Sequence, residues 1–189
     1  MGVLFQNKYR IPSTRAKWHE YDGGVYFVTI CTAHKIHYFG EISNGKMRMS
    51  ETGSFASENF TKVTIHYPYA EIPLFVVMPN HIHAIIFINN NCNVGFINNS
   101  SDCYRDAINR VSTCGGITAI NNPMLRKCLG TVVRGIKARI SHYARKRGMQ
   151  FAWQPRFHDH IIRNYHEMNQ IAEYIDNNVV HWELDELYN

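Results

Sequence analysis

An α+β sandwich, an antiparallel sheet with helices on one side of it, is the fold class that this 189-residue sequence predicts. Two observations carry the prediction. Runs rich in β-branched and aromatic residues recur at 24–32, 70–78 and 80–88, the mark of strands. Segments 51–65 and 129–146 repeat apolar residues at helical spacing instead. The length suits one domain, 1–189, with a 45% hydrophobic content that can fill a core.

In chain order, 24–32 reads as the first strand. Segments 37–42 and 46–50 flank Ser43-Asn44-Gly45, an Asn-Gly hairpin turn. The helix at 51–65 carries Ala56, Phe60 and Val63 on one stripe and stops before Pro68. Segment 70–78 is mostly apolar, as a strand buried on both faces would be, and 80–88 follows across a tight turn at Pro79-Asn80. From 89 to 123 asparagine and serine dominate and periodicity is lost. This reads as an inserted loop, with a short helix expected around 102–111. The helix at 129–146 lines up Leu129, Val132, Val133, Ile136, Ile140 and Tyr143, leaves Arg134, Lys137 and Arg145 off that stripe, and stops at Gly148. Short strands at 151–153 and 158–163 are expected around Gln154-Pro155. A last helix, 165–177, opens with Asn164 and Glu167 at capping-box spacing. The order strand, hairpin, helix, strand, strand, helix, strand, helix is that of a ferredoxin-like sandwich.

Formal net charge is +5 and the pI about 9.0, which suits a polyanionic partner. The cations cluster. Lys8, Arg10, Arg15 and Lys17 make the 1–23 segment a basic arm, and a second group runs from Arg126 to Arg147 with aromatic residues nearby. Basic grooves with aromatic platforms hold single-stranded nucleic acid, although ordinary solvated charge reads equally well on composition alone. The five cysteines are odd in number and contain no Cys-x-x-Cys pair, so free thiols are expected rather than a disulfide framework or zinc ribbon. No apolar run is long enough to span a membrane and the first nine residues lack a signal-peptide core, so the expectation is a cytoplasmic protein.

The chemistry-bearing feature is Met78-Pro79-Asn80-His81-Ile82-His83. Strand alternation puts His81 and His83 on one face and Ile82, Ala84, Ile86 and Ile88 on the other. Two neutral imidazoles side by side are half of a metal site. On the last helix, Met168, Ala172, Ile175 and Val179 form the core stripe, and Gln170, Tyr174 and Asn178 make an i, i+4, i+8 row beside it. A phenol and an amide are thus offered together at the edge of the contact with the sheet. An amide oxygen can ligate a hard cation and a tyrosine hydroxyl can attack phosphorus, while a flanking aromatic packed on the sheet is the structural alternative for Tyr174.

The sequence resembles the single-tyrosine transposases of the His-hydrophobe-His (HUH) nuclease superfamily, and among them the REP-associated tyrosine transposases. The stretches that carry the resemblance are Gly24-Val-Tyr-Phe-Val-Thr-Ile-Cys-Thr32, Val77-Met-Pro-Asn-His-Ile-His83, Gly135-Ile-Lys137, Trp153-Gln-Pro-Arg-Phe-His-Asp-His-Ile-Ile-Arg163 and Glu173-Tyr-Ile-Asp-Asn-Asn178. They span most of the chain outside the Asn-rich insert. The resemblance implies a ferredoxin-like or RRM-like sandwich whose C-terminal helix, 164–178, carries the nucleophile. It implies Tyr174 as that nucleophile, His81, His83 and Asn178 as metal ligands, and Mg²⁺ or Mn²⁺ as cofactor, with Zn²⁺ also compatible with imidazole. The partner implied is single-stranded or hairpin DNA, cut and rejoined through a 5′-phosphotyrosine, and a homodimer is left open. Arg10, Arg15, Lys17, Arg134, Lys137, Arg145, Arg156 and Arg163 are the cations expected near DNA, with a plain solvated face the alternative for those of the long helix. Two competing readings are a non-catalytic RRM-like nucleic-acid-binding domain and a metal-dependent hydrolase of small substrates. The last needs a further Asp, Glu or His ligand, and no clear carboxylate motif accompanies the pair.

Overall fold

A computed structural model describes residues 23–89 and 127–188. The basic arm with Arg10, Arg15 and Lys17, and all but the first residue of the 89–123 insert with its expected helix, lie outside the described residues.

The first strand, β1 (Gly24–Cys31), alternates as expected: Tyr26, Val28 and Ile30 are wholly buried. The hairpin pairs β2 (Gly40–Ser43) with β3 (Lys46–Met49), and its turn holds Asn44 at φ 54° and Gly45 at φ 67°. Two successive positive φ values are what a two-residue Asn-Gly connection requires. Ser50 then caps α1 (Glu51–Thr61), its hydroxyl accepting from Gly53 N at 3.0 Å. The helix expected to run on to 65 breaks at Lys62 (φ −98°, ψ 18°), leaving the single turn α2 (Val63–His66). Val63, Thr64 and Ile65 are β-branched and support a helix poorly.

Next, β4 (Ala70–Val77) turns tightly into β5 (His81–Ile88), with Met78 N donating to His81 O at 2.9 Å. After the insert come α3 (Leu129–Lys146), β6 (His158–Ile162), α4 (Tyr165–Asn177) and one 3₁₀ turn, Trp182–Leu184. The four-stranded sheet formed by the described residues has the order β4-β5-β1-β6, and every neighbouring pair is antiparallel. That is the ferredoxin-like βαββαβ arrangement, with the β2–β3 hairpin inserted after β1 and α4 appended at the end.

The main core joins the Tyr26, Val28 and Ile30 face of β1 and the Ile82, Ala84, Ile86 and Ile88 face of β5 to α1 and α3. Close approach of α3 depends on Gly135, where a Cβ would overlap the Tyr67 hydroxyl. The expectation of helices on one side holds for α1 and α3 and fails for α4. Ile175, Met168, Ile171 and Ala172 pack with Phe27, Ile85, Leu74 and Ile162 in a second cluster on the opposite face. Both faces of the central strands are apolar, so both must be covered.

A second correction concerns 151–153. The expected strand at 151–153 does not form before Gln154-Pro155. Trp153 makes a single bridge to Thr32, and β6 pairs further along β1, so both segments follow the same strand edge. Between them the chain loops outward, with Arg156 at φ 68°. Lys137 accounts for the loop: its ammonium donates to the carbonyls of Gln154 and Arg156 at 2.8 Å each and lies 5.3 Å from the Trp153 ring centroid. Cys31 and Cys128 are free thiols, and no described helix is long and apolar enough to cross a membrane.

Candidate active site

The histidine pair occupies one face of β5, as alternation requires. His81 is fully buried and His83 nearly so, with ring centroids 4.4 Å apart. Hydrogen bonding leaves one nitrogen of His81 able to ligate a metal. Asn80 Nδ2 donates to the carbonyl of Leu187 at 2.9 Å, which orients its Oδ1 toward His81 Nδ1 at 2.7 Å. An amide oxygen only accepts, so Nδ1 carries the proton and Nε2 keeps its lone pair. Burial, with His83 alongside, pushes the His81 imidazole down to about 3, so it is neutral at neutral pH. The His83 Nδ1 meets the Thr29 hydroxyl at 2.9 Å, across the β1–β5 register, and Phe27 stacks on its ring.

The other half of the site arrives on α4. Asn164 Oδ1 accepts from Glu167 N at 2.9 Å, which is half of the expected capping box, while Glu167 Oε2 reaches one residue further back and accepts from Arg163 N at 2.8 Å. From there the apolar stripe sets the helix rotation and brings the neighbouring row over the histidines. Tyr174 OH lies 3.1 Å from His83 Nε2, and Asn178, one turn on, is buried. Burial, then the charge of Asp185, pushes the Tyr174 phenol up to about 12.

Asp185 is a member of the site that sequence periodicity does not reveal. Beyond α4 the chain turns back through Trp182–Leu184 and inserts the Asp185 carboxylate into the site, with its side chain 2% exposed. Oδ2 accepts from Tyr174 OH at 3.3 Å and from Asn178 Nδ2 at 3.1 Å, and lies 3.8 and 4.0 Å from Nε2 of His81 and His83. Oδ1 accepts from Leu187 N at 2.6 Å. Burial alone would raise this carboxyl. The nearby His83 imidazole and the hydrogen bond from the Leu187 N–H, with further help from His81 and Asn178, outweigh it and hold the group well below the usual carboxylate range. The signal for it in the sequence is slight: an acidic run, Glu183 to Glu186, in a basic chain.

These groups fit a divalent cation. Donor atoms of His81, His83 and Asp185 all lie within 4.8 Å of one another. His81 Nε2 and Asn178 Oδ1 are buried near these atoms and have no hydrogen-bond partner among the described residues, and each is a lone-pair donor that a cation would satisfy. Two imidazole nitrogens, one carboxylate and one amide oxygen make a mixed set able to hold Mg²⁺, Mn²⁺ or Zn²⁺.

The described cations expected near DNA are on other elements. Arg134, Lys137 and Arg145 belong to α3, Arg156 to the loop before β6, and Arg163 to the junction of β6 and α4. Among them, Lys137 is engaged by the two loop carbonyls. Burial lowers its ammonium to about 8. His160 pairs with Glu167 at 2.6 Å, tying β6 to the start of α4.

No family model matches the chain. An uncharacterized protein of Haemophilus influenzae is 32% identical over 182 residues, which span 93% of this chain and 92% of that protein. Among solved structures, a REP-associated tyrosine transposase bound to a REP hairpin aligns with 91% of this chain and 77% of its own, at a TM-score of 0.54 and 20% identity. The latter likeness is one of fold. By identity and coverage, the chain belongs to the same family as the Haemophilus influenzae protein.

Proposed function

We propose that this protein is a metal-dependent single-strand DNA endonuclease and strand transferase of the transposase type, acting through a 5′-phosphotyrosine on hairpin-associated DNA. The observation that carries the reading is the meeting of Tyr174 OH with His83 Nε2 at 3.1 Å, beside lone-pair atoms of His81 and Asn178 that have no hydrogen-bond partner among the described residues. Fold likeness to a transposase bound to a REP hairpin supports it.

Tyr174 is the nucleophile. Its oxygen attacks the scissile phosphorus, the bond from phosphorus to the 3′ oxygen breaks, and a 3′-hydroxyl leaves. The phosphodiester energy stays in the tyrosyl ester, so a second 3′-hydroxyl can attack the phosphorus and release the phenol. His81, His83, Asn178 and Asp185 hold the cation, Mg²⁺ or Mn²⁺. When bound, that cation supplies positive charge to polarise the phosphate and to offset the groups that raise the phenol. Thr29 and Asn80 orient the two imidazoles from behind. Arg10, Arg15, Lys17, Arg134, Arg145, Arg156 and Arg163 contact the DNA backbone, and Lys137 contributes by fixing the loop that bears Arg156.

The test is incubation with a 3′-labelled hairpin carrying a single-stranded flank, with Mn²⁺ present. A protein–DNA adduct that survives denaturation is expected from the native protein and none from Tyr174→Phe. Adducts that persist in the variant rule the assignment out. Hairpin binding by the native protein without nicking establishes the RRM-like binding domain instead.

A further inference from the structure

Thirty residues, Leu129 to His158, contain no aspartate or glutamate and seven lysines or arginines. The structure folds this acid-free stretch onto itself, since α3 and the 154–157 loop form the two walls of one groove of about 430 Å³. On the α3 wall, Gly130, Arg134, Ala138 and Ser141 fall in i, i+4, i+8 and i+11 positions, so an arginine stands in a row of small residues. Arg156 and Phe157 make the facing wall.

The loop wall is built at a cost. Arg156 has φ 68°, a left-handed backbone that non-glycine residues seldom adopt. Strained residues of this kind persist where the surroundings over-determine them, and they concentrate at binding sites. Here the determinant is Lys137, whose ammonium donates to the Arg156 and Gln154 carbonyls. Trp153 Nε1 closes the contact by donating to the Lys137 carbonyl at 3.0 Å. A lysine on one wall thus fixes the backbone of the other and sets the spacing of Arg134 from Arg156.

We propose that this groove is a second DNA-binding site, separate from the His81–Tyr174 centre, that takes one nucleotide of a single strand, its phosphate between Arg134 and Arg156 and its base against Phe157. The choice of DNA as ligand rests on the function proposed above; the groove and its charge do not. Two guanidiniums on opposite walls suit a phosphate. An aromatic ring beside them offers a base a stacking surface whatever its identity. The volume lies within the range of small-ligand sites. The groove sits on the α3 side of the sheet and the histidine pair on the α4 side, so one strand engaging both must pass around the sheet edge at β6.

Anisotropy of a labelled oligothymidylate, titrated with full-length Tyr174→Phe protein at several salt concentrations, tests the site. Arg134→Ala with Arg156→Ala is expected to weaken binding by about tenfold or more and to reduce the salt slope by about 0.7 per lost phosphate contact. Ala138→Trp fills the groove without removing charge, so it is expected to weaken binding with the slope unchanged. Arg48→Ala, on the β3 hairpin, is the control and is expected to bind as the parent does. A 5-iodouracil oligomer is expected to crosslink to the peptide containing Phe157. Parental affinity in both groove variants, or crosslinks confined to α4, overturns the proposal. Crosslinking at Phe157, together with no tyrosyl adduct from the native Tyr174 protein, would keep the groove and remove the nuclease. Adducts from the native protein, together with unchanged affinity in the groove variants, would do the reverse.

Discussion

The hydroxyl of Tyr174 and the Nε2 of His83 stand 3.1 Å apart although 91 residues separate them in sequence. Sheet alternation delivers one and helix periodicity the other. A phenyl ring at 174 keeps the packing against Phe27 and loses only the oxygen. Tyr174→Phe is therefore expected to fold normally and give no covalent DNA adduct. His83→Ala is expected to lower adduct formation by about a hundredfold or more through lost charge stabilisation. Quantitative denaturing gels read both.

Asp185 adds a carboxylate to a centre that otherwise has only neutral donors. Asp185→Asn keeps the shape and removes the charge. Mn²⁺ affinity, measured by calorimetry on metal-free protein, is expected to fall about tenfold or more. The Tyr174 phenol should titrate lower than about 12, because Asp185 is the second cause of its elevation after burial. Absorbance at alkaline pH follows that change. An unchanged Mn²⁺ affinity would remove Asp185 from the ligand set.

Burying His81 neutral makes the metal-free protein acid-sensitive. Its imidazole titrates near 3 when folded and about 6.5 when unfolded. Between those values the unfolded chain binds the extra proton, so stability rises with pH across the window, is complete above about 6.5, and is lost as pH falls through about 3. Urea unfolding at a series of pH values is expected to show this slope. His81→Gln should reduce it by as much as one proton, about 1.4 kcal/mol per pH unit.

Periodic signals in the sequence make the fold and half of the site legible. The alternation of His81 with Ile82 and the stripe of Met168, Ala172 and Ile175 are such signals, and periodicity encodes which residues share a face. The features that the sequence leaves unread are not periodic. Asp185 follows a helix end and a 3₁₀ turn, so its position depends on chain reversal and on ties such as Asn80 to Leu187. The face chosen by α4 depends on whether Phe27 and Ile85 need cover, which is a property of the assembled sheet. Lys137 reads as a cation for DNA because its ammonium and the Gln154 carbonyl become neighbours only when the loop closes.

Gly135 offers a steric test of the helix-to-core contact. Gly→Ala inside an exposed helix usually stabilises by about 1 kcal/mol. At this position the added carbon overlaps the Tyr67 hydroxyl. Gly135→Ala is expected to destabilise by about 1–3 kcal/mol, as overpacking does. Combining it with Tyr67→Phe removes the nearest atom and should recover part of the loss. Thermal unfolding of the two single variants and the double variant closes that cycle.

The second apolar cluster has a dynamic consequence. Ile175 is the one residue of α4 that is fully buried, while β1 and β5 lie between two packed layers. Segments held by few buried contacts open at lower free energy than the global transition. Amide protons of α4 are expected to exchange with solvent faster than those of β1 and β5, with a cation or bound DNA slowing them. Tyr174 and Asn178 ride on the same helix, so a single local opening would dismantle the centre while the histidines remain in place on β5.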